Sequence, residues 1–405
     1  MGEVSASPHV VMLLANNSYP HDSRVPKEAR ALVDAGYRVS VISKRARRSP
    51  RRETIEGVRV HRFRLPGDAQ TPLGYVFEFL YAALASFALS VRILVREGFD
   101  VLHLHNPPDT LGLVAVLHKK LFRKRVVFDH HDLAAEMYHV RFEGKSNPIV
   151  HRALVAFERL CCRTADLVIA TNESYRAYDI ERYGVHPDRV VVVRNGPSQT
   201  FLDPVQPDQA LREGVEAVVG YIGVIGYQDR LDYLLGAMRH LVFERGRASV
   251  RCVIIGRGDA LEAMKRLSGE LGLDGHVRFT GELRGETLRS SLAASDVCVV
   301  PDPSNAYNDR STMIKIMEYM AIGKPIVAFD LPENRISAQD AAVYVQPNDV
   351  TAFGDAIIDL IDDPVRRREM SEFGRDRVAH ELMWANSVPH LLDGYARLFG
   401  DRERS

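Results

Sequence analysis

Short β-branched runs alternate with longer stretches of helical periodicity along most of the chain. This alternation is typical of a parallel sheet covered by helices on both faces, because each crossover helix returns the chain to the same end of the sheet. In the first half the pattern predicts strands at residues 9–14, 38–43, 58–63, 101–105, 125–129, 167–171 and 190–194. In the second half it predicts strands at 217–222, 250–255, 277–280, 297–300, 325–328 and 342–345.

The length of the chain indicates the number of domains. A chain of 405 residues is too long for one ordinary core, and domains of about 200 residues are expected. The polar, proline-rich stretch 196–214 has no periodicity and marks a boundary. We predict an α/β protein with two doubly wound, Rossmann-like domains that face a cleft. The predicted ranges are 1–200 for the first domain, 201–214 for a linker, 215–383 for the second domain, and 384–405 for a C-terminal helix that crosses back to the first.

The charge balance argues against a nucleic-acid partner. Lys and Arg total 53, as do Asp and Glu, so no net field draws the chain to a polyanion. The four cysteines lack metal-ligand spacing, and the adjacent pair Cys161 and Cys162 disfavours a disulfide. The N-terminus is polar for nine residues and lacks the pattern of a signal peptide. These features together lead us to expect a cytoplasmic location.

An uncharged segment at 79–91, followed by Arg92 and Arg96, allows two interpretations. It is shorter than the ~18–20 residues that a membrane-spanning helix needs, so it would form a buried core helix. Alternatively it lies in a membrane interface, helped by the basic runs 44–48 and 119–125. On that second interpretation the protein works at the inner face of the cell membrane.

Two loops in the first half carry polar side chains directly after predicted strands, where open α/β sheets bind ligands. The turn after the first strand contains Asn16 and Asn17, whose backbone suits a phosphate, and Arg24, which would add positive charge. The segment FDHHDL at 128–133 follows another strand. Its His131 is suited to bind a polar substrate or to hold a proton near neutral pH. One of the two adjacent histidines is expected to be structural.

Two glycine-rich turns follow strands of the second half. Gly223 and Gly226 lie between a strand and a helix, and Arg230 comes soon after them. Glycines in such a turn permit close approach of the backbone to a pyrophosphate. The next strand leads into a second glycine pair, with Arg257 between the two and available for phosphate.

The stretch 301–330, PDPSNAYNDRSTMIKIMEYMAIGKPIVAFD, is the most informative in the chain. A polar loop leads into an apolar-periodic helix that Ser311 and Thr312 open and Gly323 ends. The unpaired N–H groups at its start would attract an anion. Glu318, more than one turn inside, is an acid that could hydrogen-bond a pair of sugar hydroxyls. The alternative interpretation is a capped surface helix with an ordinary exposed glutamate.

In order and spacing these pieces resemble a family 4 glycosyltransferase of the GT-B fold, over nearly the whole chain. The resemblance rests on segments that include NNSYPHDSRVPKEARALVDAGYRVSVIS, DVLHLHNPP, FDHHDL, VRNGP, GYIGVIGYQDRLDYLLGAM, IGRGD and STMIKIMEYMAIGKPIVAFD. It implies transfer of a sugar, with retention and without a metal or other cofactor, from a UDP- or GDP-linked donor. The acceptor would be lipid-linked or a glycan, as in enzymes that build bacterial O-antigen or exopolysaccharide.

The resemblance also implies roles for individual residues. By position, Glu318 would bind the ribose hydroxyls, and His131 would contact the donor sugar near the reacting carbon. The other expected donor contacts are Asn16 and Asn17 over the phosphates, the backbone of Ser311, Thr312 and Met313 at the diphosphate or sugar, and the segment 282–284 around the base.

The chain departs from the family pattern at two places. Where the family has the first of two acids eight positions apart, this chain has Arg310. The Arg and Lys that follow the glycine-rich turn in the family are replaced by Val224 and Asp229. The diphosphate still needs positive charge, and the candidates are Arg230, Arg257 and Lys315.

Three alternatives remain open from the residues. A GT-B nucleotide-sugar epimerase would share the architecture, but it needs a carboxylate pair that the sequence does not reveal. A non-catalytic glycosyltransferase-like subunit that binds a partner would account for the two departures. An NAD-dependent dehydrogenase is disfavoured, because the first turn lacks the glycine fingerprint and the acid that follows it.

Overall fold

The computed structural model describes residues 7–67, 72–142 and 146–400, with side chains left out at 72, 73 and 75. The chain divides into two compact units. Unit 1 comprises the residues up to Asn195 together with those from Ser387 onward, and unit 2 comprises Gly196–Asn386.

Unit 1 contains an eight-stranded sheet in its described part, in the order β3-β4-β2-β1-β5-β6-β7-β8. All neighbours are parallel except β3, which pairs antiparallel with β4. Central strands such as β1 are buried along their whole length, as continuous apolar runs predict. The strands are β1 His9–Leu14, β2 Arg38–Lys44, β3 Arg52–Ile55, β4 Val58–Phe63, β5 Val101–His105, β6 Arg125–His130, β7 Leu167–Ala170 and β8 Val190–Val192. The helices between them are α1 Val25–Asp34, α2 Pro72–Glu97, α3 Leu111–Phe122, α4 Ala134–Arg141, α5 Pro148–Thr164 and α6 Glu173–Tyr183.

Unit 2 contains a six-stranded parallel sheet, in the order β11-β10-β9-β12-β13-β14. Apolar side chains are buried on both of its faces. The strands are β9 Ala217–Ile222, β10 Val250–Ile255, β11 Val277–Gly281, β12 Val297–Val300, β13 Ile326–Phe329 and β14 Ala342–Val345. The helices are α7 Leu231–Arg239, α8 Leu261–Glu270, α9 Gly285–Ala293, α10 Ile314–Ala321, α11 Pro332–Ala338, α12 Val350–Asp362 and α13 Pro364–Arg377. Short 3-10 or π turns lie at 187–189, 199–201, 209–211, 227–229, 240–244, 339–341 and 378–382.

The last helix, α14 (Trp384–Gly400), returns to unit 1, as the sequence predicts. The Tyr395 hydroxyl lies 2.9 Å from Nδ1 of His103 on β5. A Cβ at Gly394 would come within 3.1 to 3.2 Å of Leu167 and Val191, so the absent side chain lets α14 pack closely on this sheet. Residues 401–405 of the predicted C-terminal segment lie outside the described residues.

Two segments differ from the prediction. The edge strand β3 was not predicted, because its residues alternate between exposed and half-buried and carry no apolar run. The segment 201–214, predicted as a linker, packs onto unit 2. Leu211 is buried in that core, and the backbone N–H of Asp208 donates to the Ser290 carbonyl.

The apolar segment 79–91 belongs to a longer element than predicted. The helix α2 has 26 residues, and an 18-residue window within its stretch Val76–Glu97 has a mean hydropathy of 1.7, enough to cross a membrane by length and composition. Only 28% of that window is buried, whereas a core helix would be mostly covered. The helix therefore presents an exposed apolar surface, which the buried-helix interpretation did not predict.

The glycine-rich turns of unit 2 pack directly against each other. A Cβ at Gly256 would lie 1.9 Å from the Gly223 carbonyl oxygen, and one at Gly258 would lie 2.2 Å from that of Ile225. The backbone N–H of Ile225 donates to the Arg257 carbonyl at 3.0 Å, and that of Ala260 donates to Ile225 at 2.9 Å. These glycines are required because two backbones touch.

We expect Gly256→Ala to destabilise the protein by about 3 kcal/mol or more, because its methyl group would collide with backbone that has no side-chain freedom to move away. Chemical denaturation followed by circular dichroism measures the change. The matched control is Gly275→Ala, since a Cβ there has no heavy atom within 4 Å. Equal stability of the two variants would contradict this account of the turns.

Candidate functional site

Polar loops collect at the carboxyl ends of the strands in both sheets. In unit 2 the strand order reverses between β9 and β12, and in unit 1 it reverses between β1 and β5. Ligands of open α/β sheets bind at such reversal points, because the loops on either side diverge and leave a crevice. The predicted site residues follow β9, β10 and β12 in unit 2, and β1 and β6 in unit 1.

The helix that was predicted to open at Ser311 and Thr312 begins three residues later, at Ile314. The N–H of Ser311 donates to the Asn308 carbonyl and its hydroxyl donates to the Tyr307 carbonyl. The Thr312 hydroxyl donates to Oε2 of the buried Glu333. Ser311 and Thr312 therefore shape the approach to α10, and the Ser311 N–H is not the diphosphate donor that was expected. Met313 is the residue at the helix N-cap.

Lys315 joins α10 to the reversal point through a buried ion pair. Its Nζ lies 2.8 Å from Oδ2 of Asp302, the second residue after β12, and 3.4 Å from the Tyr221 hydroxyl on β9. Burial lowers the pKa of Lys315, but Asp302 and Tyr221 outweigh it, so the pKa is raised and the ammonium stays charged. Because Asp302 balances this charge within the protein, Lys315 is better placed to fix α10 than to neutralise a diphosphate.

Glu318 lies half-buried one turn further along α10. The helix is anchored beside it, since the Tyr319 hydroxyl accepts the N–H of Ile222 at 2.8 Å and donates to the Val299 carbonyl at 3.3 Å. The end of β9 thereby fixes the part of α10 that carries Glu318. Its carboxylate is held on a rigid element, as a residue that binds a ligand requires.

The N–H groups of the predicted glycine loop already have partners inside unit 2. Gly223 donates to the Ile255 carbonyl at 3.1 Å, and Gly226 donates to Oδ2 of Asp229 at 2.9 Å. Burial raises the pKa of Asp229 to about 6. These two N–H groups are therefore used within unit 2, and the close approach of this backbone to a pyrophosphate stays a prediction.

The predicted arginines of unit 2 lie at the surface of these loops. Arg230 makes a two-point ion pair with Asp232. Arg257 has a side chain that is 73% exposed, with Nε 2.7 Å from Glu282, so the base-framing segment 282–284 and Arg257 meet. Arg310 donates to the Ala306 carbonyl at 2.8 Å within its own loop.

In unit 1 the turn after β1 is closed by its own acid. Asp22 accepts the N–H groups of Arg24 and Val25 at 2.8 and 2.9 Å, which fills the anion position at the start of α1. The Asn17 side chain donates to Asp22 and accepts the N–H of Ser18. Asn16 is exposed, as are Pro20, His21 and Ser23 of the same turn.

Arg24 is buried and bonded within unit 1, whereas the sequence led us to expect that it would add positive charge for a phosphate. Its guanidinium donates to both oxygens of Asp129 at 2.7 and 3.0 Å and to the Val193 carbonyl at 2.9 Å. It also lies 3.0 Å from Glu28, one turn along α1. Arg24 therefore ties α1 to the ends of β6 and β8, and its charge is used within unit 1.

His131 lies directly after β6, at the edge of this buried ion pair. Its Nδ1 is 3.3 Å from Oδ2 of Asp129, and its side chain keeps 17% exposure. Asn106, after β5, fixes the turn by accepting the N–H groups of His131 and Asp132 and by donating to the Asp132 carbonyl. Burial lowers the pKa of His131, but Asp129 raises it by a larger amount, so the net shift is upward.

The neighbouring His130 is the structural member of the pair, as expected. It is fully buried, with Nδ1 2.7 Å from Asp179 on α6. Burial lowers the pKa of His130, and Asp179 outweighs this effect to bring the pKa to about 9. All four cysteines are buried and unpaired.

Among the described residues, two buried groups have side chains of the metal-ligating types: Glu28, His103, His105 and Asp129, and, separately, His130, Cys162 and Asp179. In the first, the Arg24 guanidinium already lies against both carboxylates and supplies the positive charge that a metal would bring. In the second group, Nδ1 of His130 is already paired with the Asp179 carboxylate. We assign a metal to neither group.

Sequence reasoning missed three acids that hold the loops of the two units in place. Asp302 could have been found from its position just after a strand, and Glu28 from its i, i+4 spacing to Arg24. Glu333, which accepts from Thr312, lies 21 residues away along the chain. No local pattern connects those two residues.

Comparison with known protein families agrees with the two units. Residues 23–196 match the family model described as "Glycosyl transferase 4-like domain". Residues 216–363 match the model described as "Glycosyl transferases group 1". Together the two models account for most of both units.

Comparison with individual proteins also finds glycosyltransferases and related enzymes. The chain is 28% identical over 343 residues to a D-inositol 3-phosphate glycosyltransferase of Corynebacterium urealyticum, covering 79% of this chain and 77% of that protein. The fold of this chain is similar to that of sucrose-phosphate synthase from Thermosynechococcus elongatus, with a TM-score of 0.79 and 20% identity. The match covers 97% of this chain and 100% of the synthase. The fold is also similar to that of Anabaena HepE in complex with UDP-glucose, with a TM-score of 0.72, 16% identity, and coverage of 96% and 99%.

The fold and the family matches lead to one conclusion. Two Rossmann-like domains with parallel sheets, each matching a glycosyltransferase model, are the architecture of GT-B enzymes. The chain belongs to the family 4-like glycosyltransferases of the GT-B fold.

Proposed function

We propose that this enzyme transfers a sugar, with retention and without a metal, from a UDP- or GDP-linked donor to a lipid-linked or glycan acceptor. The reaction would serve cell-surface polysaccharide synthesis at the inner face of the cell membrane. The observation that carries the proposal is the reversal point of unit 2, where α10 is anchored by Lys315 and Tyr319 and presents Glu318. A rigid carboxylate at this place suits the paired hydroxyls of a ribose.

The surface arginines are the best candidates to receive the diphosphate. An exposed ion pair contributes only about 0–1 kcal/mol, so a diphosphate could displace Glu282 from Arg257 or Asp232 from Arg230 at small cost. The buried pair of Lys315 and Asp302 would not rearrange as easily, because separating it leaves a buried charge without a partner.

The acceptor has two candidate classes. Exposed apolar side chains on unit 1 favour a lipid-linked acceptor. The named activity of the Corynebacterium relative favours a small phosphorylated polyol. An epimerase would need a pair of acid/base carboxylates at the reacting sugar, and the Asp129 carboxylate beside His131 is engaged with Arg24.

A donor screen tests the proposal directly. Purified protein is incubated with UDP- and GDP-sugars, alone and with a polyprenyl-linked glycan or D-inositol 3-phosphate, and release of nucleoside diphosphate is measured. We expect release with one donor and a marked increase with one acceptor. The anomeric configuration of the product, read by NMR, reports retention. Absence of binding and of turnover with every donor would overturn the proposal.

Glu318→Ala should weaken donor binding by roughly 10- to 100-fold, because a charged hydrogen bond to a hydroxyl pair contributes about 1.5–3 kcal/mol. Isothermal titration calorimetry with the nucleoside diphosphate alone measures the effect. Glu270→Ala, at an exposed glutamate of α8, is the matched control and should bind as the wild type does. A Glu318→Ala variant that binds with wild-type affinity would remove Glu318 from the site.

The membrane contact is supported by two adjacent helices of unit 1, α2 and α3. Apolar side chains recur along both at helical spacing and are 40% or more exposed. Basic residues flank them, and Arg96 and Arg52 crowd Arg92 enough to lower its pKa. Lys120 and Arg123 are exposed at the end of α3. The apolar residues of this surface, which we call the α2–α3 surface, are Val76, Phe77, Leu80, Leu84, Leu113, Leu117 and Leu121.

Leu84→Ser with Leu117→Ser should weaken binding to vesicles of phosphatidylcholine and phosphatidylglycerol by at least about 100-fold, because each leucine that enters lipid contributes about 1.5–3 kcal/mol. Pure phosphatidylcholine vesicles should bind less wild-type protein, since each basic residue near an anionic surface adds about 1 kcal/mol. Co-sedimentation measures both effects.

The matched control for the vesicle experiment is Phe243→Ser with Val365→Ser, two apolar residues of unit 2 that are 52% and 53% exposed. This double variant should bind vesicles as the wild type does. If the wild-type protein stays in solution with both vesicle types, the membrane proposal is wrong.

A further inference from the structure

One buried carboxylate, Asp129, receives positive or hydrogen-bonding groups from three directions. Arg24 donates to both of its oxygens, and Nδ1 of His105 lies 3.0 Å from Oδ2. Nδ1 of His131 lies 3.3 Å from the same oxygen. Asp129, Arg24 and His105 are buried, so His131 is the member of this group that retains exposure.

The ion pair keeps Asp129 ionised. Burial alone raises the pKa of Asp129, but Arg24 and His131 outweigh it, and the pKa lies well below its usual range. Burial lowers the pKa of His105, which therefore stays neutral and donates its Nδ1 proton. Glu28 has its pKa raised well above the usual value, first by burial and then by Asp129, so it does not compete for the charge of Arg24.

We propose that Asp129 is a positioning residue for His131: it holds the Nδ1 side of the ring inward, so that Nε2 faces outward as a hydrogen-bond donor from an imidazolium. Asn106 fixes the backbone of the same turn, so both ends of His131 are restrained. The charged and titratable groups around the ring are Asp129, Asp132, Arg24, His103 and His105. Of these, Asp129 and Asp132 favour the protonated ring, and Arg24 opposes it.

This inference rests on the proposed function only where it concerns catalysis. A charged Nε2–H would stabilise negative charge that develops on a leaving oxygen, without transfer of the proton. The orientation and charge of His131 are properties of the protein alone and are measurable without substrate.

Nuclear magnetic resonance of protein labelled with 15N in its histidine side chains tests the inference. The His131 signals are assigned with His131→Gln and followed through a pH titration. We expect a pKa above that of an unstructured histidine in the wild type, and a shift to lower pH in Asp129→Asn. The matched control is Asp179→Asn, which removes the acid beside His130 and should leave the His131 titration unchanged.

A second measurement does not depend on whether Asp129→Asn folds. At high pH the 15N shifts of the wild-type protein report which ring nitrogen of His131 keeps its proton. The proposal requires the proton on Nδ1, on the side of Asp129. A proton on Nε2, or a wild-type pKa no higher than that of an unstructured histidine, would overturn it.

Kinetics then separates this inference from the proposed function. If a donor is turned over, the turnover number should fall as pH rises through the His131 pKa, because the imidazolium is lost above it. Asp129→Asn should lower the turnover number by about 10- to 100-fold, with little change in KM for the donor, and should move this fall to lower pH. A pH profile that Asp129→Asn leaves unchanged would overturn the catalytic part while leaving the transferase activity established.

Discussion

The parallel arrangement of the strands is the constraint on which both candidate sites depend. In unit 2 every described strand pair is parallel, and in unit 1 only the edge strand β3 is not. Parallel strands bring all their carboxyl ends to one edge of the sheet, and the strand order reverses once in each unit. Residues as distant in sequence as Asp302 and Tyr221 can therefore meet beside Lys315.

Ion pairs within each unit take up much of the charge that the loops carry. Arg24 is matched by Asp129, and Lys315 is matched by Asp302. Both pairs are buried, so separating either would leave an uncompensated charge in a medium that solvates it poorly. The cations that remain adaptable are those at the surface, where water already screens their partners. Burial thus decides which charged side chains keep their partners and which can exchange them for a ligand.

The two histidines after β6 show how burial divides residues of one type. They are adjacent in sequence, and alternation along the strand sends them to opposite sides. His130 is enclosed beside Asp179, whereas His131 keeps part of its surface exposed beside Asp129. An acid raises the pKa in each case, but only one ring retains access to a ligand.

Most strands could be predicted from the sequence to within one or two residues, since buried parallel strands are continuous apolar runs. The edge strand β3 could not be predicted in this way, because its residues alternate between exposed and half-buried and so form no continuous apolar run. The helix before Glu318 was predicted to start too early: Ser311 and Thr312 have the side chains of a helix start, but their partners are Tyr307 and Glu333.

The sequence by itself determined the alternation of strands and helices, the two-domain division, and the family, because these depend on local periodicity and on motifs in order. Only the tertiary structure decided which charged side chains are available to a ligand. Arg24 and Arg257 look equivalent in the sequence, yet one is buried against Asp129 and the other is exposed beside Glu282. The partners lie 105 residues apart in the first case and 25 in the second, and only folding brings such distant charges together.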